Sequence, residues 1–227
     1  MAQKKTIRAT TGEPTILIVD DHPVARAGVA AIIGAANCGR VVGHADGAKV
    51  AMEMIERLRP HLVILDLSLG DKPGLEVIKD LRAAQTDTAI LVLSMHDEQI
   101  YAERAIRAGA RGYVMKSQAA NDIIYAIAEV LAGRVYVSHA VSSRLLSHLA
   151  GRPKAGSKLS LDRLTDRELE IFELLGQGRS VKQIARLLHL SGKTVEAHRE
   201  HIKEKLDMGS SSELLRLAIL SSAAGHV

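Results

Sequence analysis

The sequence predicts an α/β fold, a doubly wound five-stranded parallel sheet, followed by a small all-α four-helix domain built on a helix-turn-helix. Three observations predict it. Five short apolar runs alternate with five helical patterns over residues 15–133. Four helix-start signals follow one another after residue 160. Between the two regions lies a small, polar, basic stretch of linker composition, Ala150-Gly-Arg-Pro-Lys-Ala-Gly-Ser-Lys158.

The first region reads element by element. Thr15-Ile-Leu-Ile-Val-Asp20 is a β-branched apolar run that ends in acid, a buried strand. Pro23 opens a helix over Val24 to Ala36, and Asn37 and Gly39 end it. Arg40 to Ala45 is a second strand. Ala48 to Arg59 carries Val50, Met54, Ile55 and Leu58 on one helical face, and Pro60 stops it. His61 to Asp66 is a third strand, and Gly74 to Ala84 spaces Leu75, Ile78 and Leu81 as a helix. Ala89 to Ser94, Glu98 to Ala108 (closed by Gly109), Arg111 to Met115 and Asn121 to Ala132 (closed by Gly133) complete the alternation. Parallel strands need crossovers, and strands apolar on both faces need helices on each side.

Val137 to Leu149 reads as a short helix before the linker. Beyond it, Thr165-Asp-Arg-Glu168 is a capping box before Leu169, Ile171, Phe172 and Leu175, with Gly176 and Gly178 ending that helix. Ser180-Val-Lys-Gln183 is a second box, before Ile184, Ala185, Leu187 and Leu188. After the turn His189-Leu190-Ser191, a helix from Gly192 to Leu206 turns Val195, Ile202 and Leu206 inward. Ser210-Ser-Ser-Glu213 opens a last helix with Leu214, Leu217, Ala218 and Ile219 apolar. The expected division is an N-terminal extension over 1–14, a sheet domain over 15–133, a linker over 134–159 and a helical domain over 160–227.

Composition narrows the function. Of 227 residues 47% are hydrophobic and 25% charged, which excludes a disordered tail. Aromatics are 2%, too few for a surface that stacks single-stranded bases. Cys38 is the only cysteine, so no disulfide forms within the chain, and the ten histidines have no cysteine cluster to join in a structural zinc site. No stretch approaches the roughly 18 apolar residues of a membrane span, and no secretory run opens the chain, so a cytoplasmic protein is expected. Residues from Ala150 onward carry 13 Lys+Arg against 10 Asp+Glu, while 1–149 carry 17 against 16. That basic excess suits nucleic acid, or an ordinary basic surface.

Ligands of a doubly wound sheet bind beyond the carboxyl ends of its strands. Those ends carry Asp20 and Asp21, Asp66, Ser94 and Lys116. A single strand-end Asp is often a helix cap. The whole set is different, because clustered carboxylates repel unless a cation sits among them, and hard oxygen ligands suit Mg²⁺.

Asp20-Asp21, Asp66, Ser94 and Lys116, with Tyr113 three positions before the lysine, resemble the receiver domain of two-component response regulators, a flavodoxin-like fold. The resemblance implies that Asp66 accepts a phosphoryl group from a histidine kinase. It also implies that Asp20, Asp21, Asp66 and the carbonyl of Ser68 hold Mg²⁺, with Lys116 and Ser94 on the phosphoryl oxygens. Ser94 and Tyr113 would form the switch. Ser68 and His96, each two positions beyond a site residue, would set how long the phosphoaspartate lasts. Two positions depart from the commonest pattern: Gly70 and Ser117 stand where many relatives have Pro.

The second helix of the predicted helix-turn-helix leaves Lys193, Thr194, Glu196, Ala197, Arg199, Glu200 and Lys203 facing outward, either a DNA-reading face or a solvated one. Leu164-Thr-Asp-Arg-Glu168, Gly178, Ile184-Ala185 and Ser191-Gly-Lys-Thr-Val-Glu-Ala-His198, followed by Ile202 and Lys205-Leu206, resemble the LuxR-type helix-turn-helix. Receiver plus LuxR-type domain is the NarL/FixJ class. Lys193, Thr194, Arg199, Lys203 and Lys205 suit phosphate contacts. Glu196, Ala197 and Glu200 are candidates for base edges, and His198 for packing, phosphate or base. In this class the last helix commonly supplies the DNA-bound dimer contact.

The expected function is a phosphorylation-dependent transcription regulator, not an enzyme, that binds double-stranded DNA as a homodimer and no membrane. Two rivals stand beside it. A signalling adaptor would bind protein through its C-terminal helices. An aspartyl-phosphate phosphatase would carry its nucleophile on the first strand with a second Asp two positions on, where this chain has Asp20-Asp21 and then His22.

Overall fold

The computed structural model describes residues 12–149 and 161–224. The expected N-terminal extension therefore lies almost wholly outside the described residues, as does the segment from Ala150 to Ser160 of the expected linker. The chain divides into two units between Leu146 and Ser147, and each is described by itself.

The first unit is a five-stranded parallel sheet in the order β2-β1-β3-β4-β5, with β1 Thr15–Val19, β2 Arg40–Ala45, β3 Leu62–Leu65, β4 Ala89–Ser94 and β5 Gly112–Met115. The crossovers are α1 Pro23–Ala36, α2 Ala48–Leu58, α3 Gly74–Ala83 and α4 Glu98–Ala108, with α5 Ala120–Leu131 after the last strand. Every residue of β3 is buried, as a central strand covered on both faces requires. Ile16, Ile18, Ile64, Leu91, Leu93 and Val114 pack on Val29 and Ile33 of α1 and Ile123, Ile127 and Val130 of α5. β2 is more exposed than a two-face apolar strand, because it lies at the sheet edge.

Local chemistry fixes the helix ends. Pro23 starts α1, and Asn37 ends it in the left-handed region at φ 49°. Gly47, at the start of α2, has no capping side chain. Asp71, in the loop after β3, supplies one by accepting from Ala48 N at 2.9 Å and Lys49 N at 3.3 Å. After α5, Tyr136 makes a bridge beside β5: Tyr113 N donates to its carbonyl at 2.9 Å. The helix α6, His139–Leu149, follows within the segment expected as linker. Arg144 of α6 reaches α4, donating to the Gln99 carbonyl and lying 3.8 Å from Glu103.

The second unit holds α7 Asp166–Gly176, α8 Val181–Leu187, α9 Gly192–Lys205 and α10 Ser211–Ala224. Both capping boxes form, Thr165 with Glu168 and Ser180 with Gln183, and Ser191 caps α9 by accepting from Thr194 N. Leu169, Ile171, Phe172, Ile184, Val195, Ile202, Leu214 and Ala218 make the core. Leu187 and Ile219, apolar in the pattern, are exposed, as are Leu215 and Leu220. In α8, only seven residues long, Ile184 fills the buried side, together with Leu188 at the C-cap.

Candidate functional site

The strand order brings the predicted residues together. β1 and β3 are neighbours, so Asp20 and Asp66 emerge side by side, and Asp66 N donates to the Val19 carbonyl at 2.8 Å. β4 and β5 follow, placing Ser94 and Lys116 on the same rim, with Lys116 N donating to the Ser94 carbonyl at 2.8 Å. Lys116 Nζ lies 2.6 Å from Asp66 Oδ2 and 2.7 Å from Asp20 Oδ2. Asp20 and Asp66 are buried at 4% and 3% exposure. Burial works against the ammonium, but Asp66 and Asp20 outweigh it and hold the Lys116 pKa above the ordinary lysine value.

One ammonium does not satisfy this set. Asp66 Oδ1 is buried without a hydrogen-bond partner. Asp21 has its pKa raised, by burial and by the Asp66 and Asp20 charges, against the opposing pull of His22. Asp20, Asp21, His22 and Asp66 each offer a ligand atom within 4.8 Å of the others. A buried carboxylate oxygen without a donor, beside two more carboxylates, fits a hard divalent cation.

Ser94 is fully buried, and its Oγ accepts from His96 N at 3.3 Å. Tyr113 is 1% exposed and donates its hydroxyl to the His96 carbonyl at 2.9 Å. Ser68 Oγ meets His96 Nε2 at 3.0 Å, and the His96 ring stacks on Tyr101 with centroids 4.5 Å apart. His96 thus joins four of the surrounding residues.

Three contributors escaped the sequence reading. His22 puts Nδ1 2.6 Å from Asp21 Oδ1, and its backbone N donates to Asp20 Oδ1 at 2.8 Å. Arg26 donates to the Asp20 carbonyl. Gly74 admits the tight turn behind Asp66: a Cβ there would stand 2.5 Å from Leu67 Cα and 2.7 Å from the Asp66 carbonyl oxygen. The signal for Gly74 was present as a Gly following Pro73 at a helix start.

On α9, Lys193, Glu196, Ala197 and Glu200 are exposed at helical spacing and form one stripe. Thr194, Arg199 and Lys203 flank it half-buried. Glu196 pairs with Arg199 at 2.9 Å and Glu200 with Lys203 at 2.7 Å. Two of the expected contacts turn away from the stripe. Lys205 reaches back to the buried Glu168 at 2.6 Å, and His198 has its Nδ1 buried. Both sit on the side of α9 that meets α7, where Glu168 draws the ammonium inward.

A doubly wound sheet with an acidic, lysine-pinned rim, in a chain that also carries a helix-turn-helix, defines a receiver-type signalling protein with an effector domain. Family models agree: residues 16–128 match the response regulator receiver domain, and residues 162–218 match the bacterial regulatory proteins of the luxR family. The chain is similar to the nitrate/nitrite response regulator protein NarL of Escherichia coli K12, 34% identical over 199 residues, covering 88% of this chain and 92% of that one. Among solved structures it resembles the RcsB response regulator of Salmonella typhimurium, with TM-score 0.68 and 26% identity over 93% of this chain and 99% of that one. It also resembles RcsB of Salmonella enterica serovar Typhimurium bound to a promoter in the presence of the phosphomimetic BeF3-, with TM-score 0.64 and 26% identity over 91% and 98%. The chain belongs to the response regulators of the NarL/FixJ class, which are DNA-binding transcription regulators. No helix among the described residues is long and apolar enough to cross a membrane.

Proposed function

We propose that Asp66 is the phosphoacceptor, that a histidine kinase or phosphotransfer protein is the donor, and that phosphorylation turns on operator binding by the second unit as a homodimer. The observation that carries this reading is Lys116 Nζ held between Asp66 and Asp20 beside an unpartnered Asp66 oxygen. In the transfer an Asp66 carboxylate oxygen attacks phosphorus, an acyl-phosphate O–P bond forms, and the P–N bond to the donor imidazole breaks. Lys116 would move its ammonium onto the phosphoryl oxygens, and Ser94 would leave His96 N to donate to one of them. Mg²⁺, held by Asp20, Asp21, Asp66 and the Ser68 carbonyl, would supply charge neutralisation between carboxylates and phosphate. Tyr113 and Ser94 both bond to the backbone of His96, which supports their pairing as the switch.

On DNA, Lys193, Thr194, Arg199 and Lys203 would take phosphates, and Glu196, Ala197 and Glu200 would meet base edges in the major groove. The exposed Leu215, Ile219 and Leu220 of α10 would give the dimer its apolar contact. The domain limits 15–133 and 160–227, and a cytoplasmic location, belong to the same reading. A shift from mostly inactive to mostly active needs on the order of 3–5 kcal/mol of differential stabilisation. The test is operator binding with and without a phosphoryl donor or a fluoride mimic. Wild type should gain affinity, and Asp66→Asn should not respond. An Asp66→Asn protein that responds like wild type refutes the reading, as does binding that ignores salt.

A further inference from the structure

A second cluster of metal-ligand side chains lies in the helix-turn-helix unit, apart from every role described so far. Glu168 of α7 and His198 and His201 of α9 each offer a ligand atom, and these atoms lie within 4.8 Å of one another. The two histidines are three positions apart on α9 and share a face. Glu168 comes from the first turn of α7, fixed by the capping box and only 3% exposed.

Bonding inside the cluster is incomplete. Glu168 uses Oε2 for both of its neighbours, accepting from Thr165 N at 2.7 Å and Lys205 Nζ at 2.6 Å, which leaves Oε1 to another partner. His198 Nδ1 is buried and has no hydrogen-bond partner. A buried imidazole nitrogen without a partner is costly, and a cation bound by that nitrogen would relieve the cost. His201 is exposed, so its ring can rotate toward the other two.

We propose that Glu168, His198 and His201 form a reversible site for one zinc-type divalent ion that ties α9 to α7. Two imidazole nitrogens and one carboxylate oxygen are a zinc ligand set with an open fourth position, whereas magnesium prefers oxygen alone. Metal–ligand bonds of about 2.1 Å put tetrahedral ligand atoms roughly 3.4 Å apart, so ligand atoms that lie within 4.8 Å of one another need to close by at most about 1.4 Å. The cluster uses no cysteine and so differs from the cysteine-based structural zinc site that the composition excludes.

The opposing group is Lys205. Its ammonium already neutralises Glu168 and repels a dication. Arg167, the other nearby cation, is engaged by Glu170 at 2.6 Å and the Leu188 carbonyl at 2.7 Å. Lys205 is 35% exposed and can swing into water, so metal and ammonium compete for one carboxylate. That competition makes occupancy follow the metal supply rather than persist. The proposal is independent of phosphorylation at Asp66.

The experiment titrates the full chain with Co²⁺ as an optical probe, with excess Mg²⁺ present to occupy the carboxylates of the receiver. Wild type should bind one tight equivalent, develop visible ligand-field bands, lose them to Zn²⁺, and gain thermal stability in the second unit. His201→Ala changes an exposed side chain and should keep the fold while losing that equivalent and its bands. Lys205→Met should bind at least tenfold tighter, although it is less stable without metal. The site is refuted if wild type shows no saturable equivalent, if His201→Ala keeps the bands, or if Lys205→Met binds no tighter.

Discussion

Ser68 Oγ and His96 Nε2 lie 3.0 Å apart and join the loop after β3 to the loop after β4. These loops follow β3 and β4, directly beyond the strand ends that place Asp66 and Ser94 on the rim of the proposed chemistry. Water attacking a phosphoaspartate has to pass the groups beside it. A net hydrogen bond contributes about 1 kcal/mol, or about fivefold in a rate. Ser68→Ala and His96→Ala should each shorten the phosphoaspartate lifetime by about that factor, measured by loss of label from phosphorylated protein. Unchanged rates in both variants dismiss the pair as a gate.

Lys116 holds two buried carboxylates together. Replacing it with Met leaves Asp20 and Asp66 facing one another with no ammonium between them. Losing one partner of a buried ion pair costs about 3 kcal/mol. Lys116→Met should lose about that much stability in metal-free buffer and recover more of it with added Mg²⁺ than wild type does. Denaturant melts with and without Mg²⁺ measure both, and equal magnesium gains in the two proteins contradict the expectation.

The sheet was legible because apolar runs and helical faces differ in period, and β4 and α4 lie where the pattern puts them, at Ala89–Ser94 and Glu98–Ala108. β3, Leu62–Leu65, is one residue shorter at each end than its run, although His61 N and Asp66 N still donate to the Thr15 and Val19 carbonyls of β1. The carboxylates of the candidate site were legible because parallel topology sends strand ends to one rim. Asp71 capping α2 and Lys205 turned toward Glu168 were not, because each joins residues more than twenty apart through packing that no local pattern encodes. His22 was visible only as a neighbour of two acids.

Arg144 ties α6 to α4 through the Gln99 carbonyl and Glu103, which also pairs with Arg107 at 2.5 Å. Charged contacts at half-exposed sites contribute little to global stability. Arg144→Ala should therefore change overall stability by under about 1 kcal/mol, yet raise hydrogen exchange in α6. Exchange in α6 that matches wild type means Arg144 does not hold the helix.

Cys38 follows the αL cap of α1, partly covered, with its pKa raised by burial. A raised thiol pKa leaves less thiolate at neutral pH. Alkylation of the folded protein near pH 8 should be slower than that of a free thiol, climb as pH passes the ordinary value of 9.0, and accelerate on unfolding. Alkylation at the free-thiol rate near pH 8 contradicts this.

Glu196, in the outward stripe of α9, holds the flanking Arg199 at 2.9 Å, so the guanidinium is partly neutralised before DNA arrives. In the proposed DNA contact the carboxylate would also repel phosphate and accept from cytosine N4. Glu196→Ala removes all three effects at once. The freed Arg199 should add about one phosphate contact, steepening the salt dependence of binding by about one counterion. Affinity for unrelated DNA should rise, while discrimination between the operator and a site mutated at the contacted base should fall by about 1–3 kcal/mol. Binding across a salt series to both DNAs separates these changes. An unaltered salt slope with unaltered discrimination would take Glu196 and Arg199 off the DNA interface.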